Sequence, residues 1–293
     1  MKIRFILNPV SGKNKDTAQQ RASAIHAIFP QAEVAFTQAP GHATELAREA
    51  AAHNFTAVIA VGGDGTLNET ACGLLHTLTP LGVIPAGSGN GFARELGMSL
   101  SFKKALQQLR HTLIVPCDVG RANEKLFLNV AGVGLEAEIA WQFMEHGKTG
   151  PRGKWPYFKL GAQTVFSYQP RPWEIQTDTQ SGFICPLSLA FANGRQYGSN
   201  FKIAPQASLT DGLLDMVEVH NLPKWQLALA LPSFFTGTKP PFDVLQVTQV
   251  KHVVLLREGA FPFHVDGEPH QAQNKLEITV ESNALKILLP EKK

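Results

Sequence analysis

An unbroken apolar run, Ala57 to Val61, ends in Gly62-Gly63-Asp64-Gly65-Thr66 and then passes into a helical pattern. A run without polar alternation suits a strand buried on both faces, and such strands belong to parallel sheets covered by helices. A second pair follows: Gly82 to Pro85, then Ala86-Gly87-Ser88-Gly89-Asn90. A third opens the chain, with Ile3 to Leu7 leading into Asn8-Pro9-Val10-Ser11-Gly12-Lys13. Glycine-bearing loops after successive strands of this kind fit an open α/β sheet, where ligands bind beyond the carboxyl ends of the strands.

The rest of the first 120 residues agrees. Helical patterns run over Thr17 to Phe29, Ala43 to His53, Thr66 to Leu78, Phe92 to Leu96 and Phe102 to Arg110, with a strand at Glu33 to Thr37. Thr17 and Gln20 have the spacing of a capping box, and Ser101 is placed to cap the last helix. Alternating β and α elements predict a doubly wound α/β domain.

After about Val119 the pattern changes. Strand-like runs at Lys125 to Val130, Trp173 to Thr177, Leu187 to Ala192, Leu213 to Val219, His252 to Leu256, Phe261 to Val265 and Lys275 to Val280 are separated by Asp-Gly, Asn-Gly and Ser-Gly pairs. Short strands with such turns predict an antiparallel β-sandwich or barrel. A helical insertion at 137–166 carries aromatic and basic side chains, and its plain reading is helices packed on the β-rich layer. The expected domains are an N-terminal doubly wound α/β domain, 1–119, and a β-rich domain, 120–282. The strand Ala284 to Leu289 fits either, so 283–293 is a candidate completion of the first domain.

Composition removes several classes. In 293 residues, a hydrophobic share of 44% and a charged share of 17% describe a globular chain, and a net charge of +3 is too small to argue for nucleic acid. Cys72, Cys117 and Cys185 form no CxxC pair, so neither a disulfide framework nor a zinc site is expected and a cytoplasmic setting is. The apolar start stops at Asn8, too early for a signal peptide. No stretch reaches the roughly 18 apolar residues of a membrane span, so no transmembrane segment is expected.

Glycines let a backbone approach a phosphate closely, and the N-terminus of the following helix offers free N–H groups and partial positive charge. Asp64 among them repels phosphate unless a divalent cation intervenes or it accepts a proton. A tight strand-to-helix turn is the alternative reading. The loop at Ser88 fails GxGxxG because Phe92 stands at the third glycine, and the loop at Ser11 is no Walker A because Leu7 and Asn14 occupy key places. Asp211-Gly212 and Asp266-Gly267-Glu268 read by themselves as turns. His264 and His270 flank Asp266 and are expected to be solvated; the ten histidines show no metal spacing.

Taken in order, Asn8 to Lys13, Gly62 to Glu69 (GGDGTLNE), Pro85 to Leu96 (PAGSGNGFAREL), Ala204 to Met216 (APQASLTDGLLDM) and Val265 to Pro269 (VDGEP) resemble the diacylglycerol kinase catalytic family, which includes bacterial lipid kinases and sphingosine and ceramide kinases. The resemblance covers essentially the whole chain and implies an active site in the cleft between the two domains. It implies ATP contacts at Asn8, Ser11, Gly12, Thr37, Gly63, Asp64, Gly65, Thr66, Leu67, Asn68, Glu69 and Ser88, with Gly62 opening the loop. It implies Glu268 as proton acceptor with Asp266 beside it, and Asp64 as rival base or holder of the catalytic magnesium. It further implies a Mg2+ site at Asp211 completed by the carbonyls of Ser208 and Leu213, an oxygen set suited to a hard cation. The implied activity is transfer of the γ-phosphate of ATP to a primary hydroxyl of a lipid met transiently at the inner face of the membrane; a homodimer is allowed. A kinase of a soluble nucleotide such as NAD, or a non-catalytic nucleotide- or lipid-binding regulator, remains open. Where bacterial members usually carry Asn-Asp-Phe-Ala, this chain has Asn90-Gly91-Phe92-Ala93, which leaves the acceptor open among diacylglycerol, phosphatidylglycerol and sphingoid lipids.

Overall fold

The computed structural model describes residues 2–11, 17–87, 89–149, 163–197 and 200–291. The chain forms two compact units, Met1–Val119 with Gly198–Asn200 and Ser282–Lys293, and Gly120–Tyr197 with Phe201–Glu281.

The first unit runs β1 (Ile3–Leu7), α1 (Ala18–Ile28), β2 (Glu33–Phe36), α2 (His42–Ala52), β3 (Ala57–Gly62), α3 (Asp64–Leu74), β4 (Leu81–Pro85), α4 (Gly91–Glu95) and α5 (Phe102–Gln108), then enters β5 (Thr112–Ala122). Its parallel strands lie in the order β4-β3-β1-β2. Every residue of β3 is buried, as its unbroken apolar run requires. The order reverses at β1, which has β2 on one side and β3 on the other. That reversal opens a crevice at the carboxyl ends of β1 and β3. The helix α1 starts on a complete capping box: Gln20 N–H donates to Thr17 Oγ1 at 3.2 Å and Thr17 N–H to Gln20 Oε1 at 2.7 Å. Ser101 occupies the N-cap position of α5 but makes no side-chain bond there. The helix α3 begins two residues earlier than its sequence pattern suggests and ends at Leu74. Beyond it His76 adopts φ +57°, and its N–H donates to Ala284 O at 2.7 Å.

The second unit holds β6 (Lys125–Phe127), β7 (Val130–Gly134), α6 (Leu135–Thr149), β8 (Trp173–Thr177), β9 (Ser181–Ile184), β10 (Ser188–Ala192), β11 (Leu214–Val219), α7 (Lys224–Thr236), β12 (Leu245–Val250), β13 (His252–Val265) and most of β14 (Glu268–Pro290). Antiparallel strands run in the order β12-β11-β10-β7-β13-β14. A register shift between Leu256 and Ala260 divides β13, whose early half pairs with β8 and late half with β7. One face buries Trp173, Phe191, Phe261, Phe263 and Leu276; the other buries Val130, Ala190, Val217 and Phe234.

Several elements depart from the sequence pattern. The run Lys125 to Val130 is two strands, β6 and β7, because the N–H groups of residues 128–130 turn to a side chain instead of a neighbouring strand. The two runs before Val265 are one bulged strand. Lys275 to Val280 and Ala284 to Leu289 are one 23-residue strand, jointed at Asn283 with φ +55°. Its last residues belong to the first unit, where Ile287 pairs in parallel with Leu81. The helix α7 escapes the pattern because Leu227-Ala228-Leu229-Ala230-Leu231 alternates like a strand and Pro232 looks like a breaker. Of the expected insertion 137–166, α6 and a helical turn at 163–167 are seen; 150–162 lie outside the described residues.

Candidate active site

The loops after β1, β3 and β4 are held together by polar side chains and by close backbone approach. Asn8 follows β1, and its Nδ2 donates to Thr66 Oγ1 at 3.0 Å across the switch point. Its Oδ1 accepts Val10 N–H, and its carbonyl accepts the Ser11 hydroxyl at 2.9 Å. A Cβ on Gly62 would lie 2.6 Å from the Thr66 side chain, so glycine is needed there for Thr66 to reach Asn8. The loops after β3 and β4 touch backbone to backbone: a Cβ on Gly87 would stand 2.5 Å from Gly63 Cα. The Asp64 carboxylate ties them, accepting Asn90 N–H at 2.9 Å and Gly91 N–H at 3.0 Å. Asn90, at φ +54°, closes its own loop by exchanging two bonds with Gly87, at 2.9 and 2.8 Å. Burial raises the Asp64 pKa above its ordinary value, while the two N–H donors pull it down.

Gly65 differs from its neighbours. Nothing lies within 4 Å of a Cβ placed there, and its φ is not in the left-handed range. Glycine costs about 1 kcal/mol against alanine inside a helix, so packing gives no reason for it. It leaves bare the first turn of α3, where N–H groups and the helix dipole favour an anion.

Other expected ATP contacts have internal partners. Glu69 Oε2 accepts Ala43 N–H at 3.3 Å and its carbonyl accepts the Thr44 hydroxyl at 2.8 Å, joining α3 to the first turn of α2. Leu67 is buried, and Asn68 Oδ1 accepts from Cys72 Sγ at 3.7 Å. Thr37 N–H donates to Leu7 O at 3.0 Å, which places it after β2 beside the loop at Asn8. Gly12 and Ser88 lie outside the described residues. Sequence reasoning missed Arg21, a buried arginine on α1 whose Nη1 holds the Ser11 carbonyl at 2.9 Å. A cation on the inner face of a helix was the available signal.

In the second unit, Asp266 and Gly267 take φ +49° and +86° in the two-residue turn from β13 to β14. The Asp266 carboxylate accepts three N–H groups, from Leu128, Asn129 and Val130 at 2.9, 2.9 and 3.1 Å. Glu268, the first residue of β14, is exposed. His264 is not solvated as expected but 2% exposed, and His270 is half-buried. Burial holds the His270 pKa below its ordinary value, against the pull of the Glu268 charge. His264 Nε2 stands 3.6 Å from Glu136 Oε1, which accepts the Tyr197 hydroxyl at 2.9 Å. Gly132 makes room: its Cβ would fall 2.3 Å from Glu136 Oε1. The cluster Glu136, Tyr197 and His264 left no sequence signal, since its members are far apart in the chain.

Asp211 is exposed in the turn before β11, where its Oδ1 accepts Leu213 N–H at 3.1 Å and Ser208 Oγ accepts Thr210 N–H at 3.3 Å. Its charge helps to raise the pKa of Asp215, after burial. Among the described residues no three His, Cys, Asp or Glu side chains converge as a metal cluster. The Asp211 turn presents oxygen ligands of the type a hard cation takes, with Asp211 Oδ1 itself already accepting Leu213 N–H.

Residues 2–122 match the diacylglycerol kinase catalytic domain, and residues 129–289 match the YegS C-terminal NAD kinase beta sandwich-like domain. The chain is 35% identical to "Diacylglycerol kinase" of Bacillus subtilis (strain 168), over 74% of this chain and 73% of that protein. It is 31% identical to "Probable lipid kinase YegS-like" of Pseudomonas aeruginosa (strain UCBPP-PA14), over 97% of this chain and 94% of that protein. A crystal structure of a diacylglycerol kinase from Bacillus anthracis str. Sterne shares the fold, with a TM-score of 0.73 at 21% identity over 99% of this chain and 97% of that one.

Proposed function

This chain belongs to the diacylglycerol kinase catalytic family, and from that premise we propose that it is a lipid kinase, transferring the γ-phosphate of ATP to a hydroxyl of a lipid taken from a membrane surface. The observation that carries the phosphate site is the bare first turn of α3 at Gly65, beside the contact of Gly63 with Gly87 that joins the loops after β3 and β4. Backbone N–H groups of these loops hold the phosphates, and Asn8 and Thr66 fix the loops against each other.

In the proposed step the lipid hydroxyl oxygen bonds to the γ-phosphorus while the bond to the β-phosphate oxygen breaks and ADP leaves. The hydroxyl proton passes to a carboxylate. Glu268 is the best acceptor of the three acids: Asp64 and Asp266 have their oxygens engaged by two and three backbone N–H groups, and Glu268 is exposed. Asp64 and Asp266 act as ties that shape the loops. Mg2+ would supply charge neutralisation on phosphate oxygens, and the Asp211 turn with Ser208 and Leu213 is a second, structural candidate for the ion.

The test is transfer from labelled ATP to lipids in mixed micelles, with NAD as the soluble control. Labelled lipid, lost in Glu268→Gln with ATP binding retained, is the expected result. Turnover with NAD alone, or ATP binding without any turnover, would overturn the reading.

A further inference from the structure

The helix α7 carries an apolar surface that the phosphoryl transfer does not use. Trp225, Leu229, Leu231 and Phe235 are 58%, 58%, 48% and 44% exposed. With Ala228 and Pro232, also exposed, they cover an arc of roughly 160° at 3.6 residues per turn. The opposite side, Ala230, Ser233 and Phe234, is buried against the second unit. No acidic residue occurs from Val219 to Phe242. Lysines stand near both ends of the helix: Lys224 opens it, Lys239 follows it, and Lys202 reaches the C-cap, where a Cβ on Gly237 would lie 3.4 Å from its Nζ.

We propose that α7 is a membrane-docking helix: its apolar arc enters the interface of an anionic bilayer, and Lys224, Lys202 and Lys239 meet the headgroups. An interfacial helix combines an apolar face bearing Trp, Phe and Leu with basic residues at its margins. Each lysine near an anionic surface adds attraction that fades within a Debye length. A second copy of this chain is a poorer occupant. Packing α7 on its twofold mate in antiparallel fashion brings Lys224 against Lys239, with no acid on the helix to meet either.

The helix is also wired to the hairpin bearing Glu268. Phe234 stacks on Phe201 at 5.0 Å between ring centroids, and Phe235 meets the same ring edge-on at 5.4 Å. Phe201 contacts Tyr197 at 6.0 Å, and Tyr197 contacts His264 at 5.5 Å. His264 pairs with Pro269, the residue after Glu268. Docking α7 therefore fixes the hairpin relative to the bilayer within one unit. This inference rests on the lipid kinase reading, which requires an acceptor drawn from a bilayer.

The test is co-sedimentation with phosphatidylcholine vesicles with and without phosphatidylglycerol, in the absence of ATP. Leu229→Gln with Leu231→Gln removes exposed apolar surface without touching the aromatic contacts. The double variant should bind anionic vesicles about tenfold or more weakly, with an unchanged melting temperature. Its turnover of a short-chain acceptor dispersed as monomers should equal wild type, and its turnover of vesicle-held acceptor should fall. Lys224→Glu with Lys239→Glu should remove the preference for phosphatidylglycerol. Vesicle binding equal to wild type in both variants overturns the proposal. So does a wild-type dimer, seen by light scattering, that the leucine variant splits while vesicle binding stays unchanged. Vesicle binding is read without turnover, so loss of the kinase reading and loss of this one give different results.

Discussion

Three acids sit in glycine-rich turns, and their hydrogen bonds separate them. Asp266 satisfies three N–H groups, so Asp266→Ala leaves those donors unpaired and should cost about 2–4 kcal/mol in urea unfolding. Glu268→Gln should stay within about 0.5 kcal/mol of wild type, because an exposed side chain is replaced by its isostere. The same change should lower kcat by about 10²–10⁴ in the lipid transfer assay. Asp64 carries a pH signature. Its pKa is raised above the ordinary 3.8 by burial, so the folded protein holds this proton to higher pH than the unfolded chain does. Its contribution to stability is complete below 3.8 and is lost as pH rises through the raised value. The stability of Asp64→Asn relative to wild type should therefore move in the variant's favour as pH rises from below 3.8, read from urea midpoints at matched pH. A flat difference would mean that Asp64 is well solvated.

At the scale of elements, the described glycines of the first unit include some that packing needs and, in Gly65, one that neither packing nor a left-handed backbone requires. Gly87→Ala pushes a Cβ to 2.5 Å from Gly63 Cα, and backbone has no side chain to swing away. It should cost about 1–3 kcal/mol and weaken ATP binding by separating the loops. Gly65→Ala meets open space in a helix and should stabilise the protein by about 0.5–1 kcal/mol. If the first turn of α3 holds phosphate, Gly65→Ala should still raise the KM for ATP. The two effects, opposite in stability and alike in ATP affinity, are checked by urea unfolding and initial rates on the two variants. The packing of α2 on α3 has a similar close approach: a Cβ on Gly73 would lie 2.4 Å from Thr44 O.

For the whole molecule, β14 makes the first unit depend on the end of the chain. Its terminal residues bring Ala284, Leu285 and Ile287 into that unit's core. Asn283 N–H donates to Asp118 Oδ1 at 2.7 Å, and His76 N–H donates to Ala284 O. Burial of Leu285 and Ile287 contributes about 1.5–3 kcal/mol each, a large share of the roughly 5–15 kcal/mol that stabilises a domain. A fragment of residues 1–119 should therefore fail to fold, giving a collapsed amide spectrum by NMR. Added back in trans, a peptide of residues 280–291 should restore dispersion.

The apolar run into Gly62 to Thr66 was enough, from sequence, to predict a parallel sheet with closely approaching loops at its carboxyl edge, because burial on both faces and close backbone approach are local demands that residue types record directly. The five motifs in order carried the family, since each preserves a local conformation. The hydrogen bonds that distinguish the acids form only in three dimensions. Asp64 meets Asn90 across 26 positions, and Asp266 meets Leu128 across 138. Whether a carboxylate is a tie or a free base depends on donors that distant strands deliver. The burial of His264, the crossing of β14 into the first unit's core and the open apolar arc of α7 belong to the same class. Each is set by what the fold brings near, or leaves uncovered, and the local pattern contains neither.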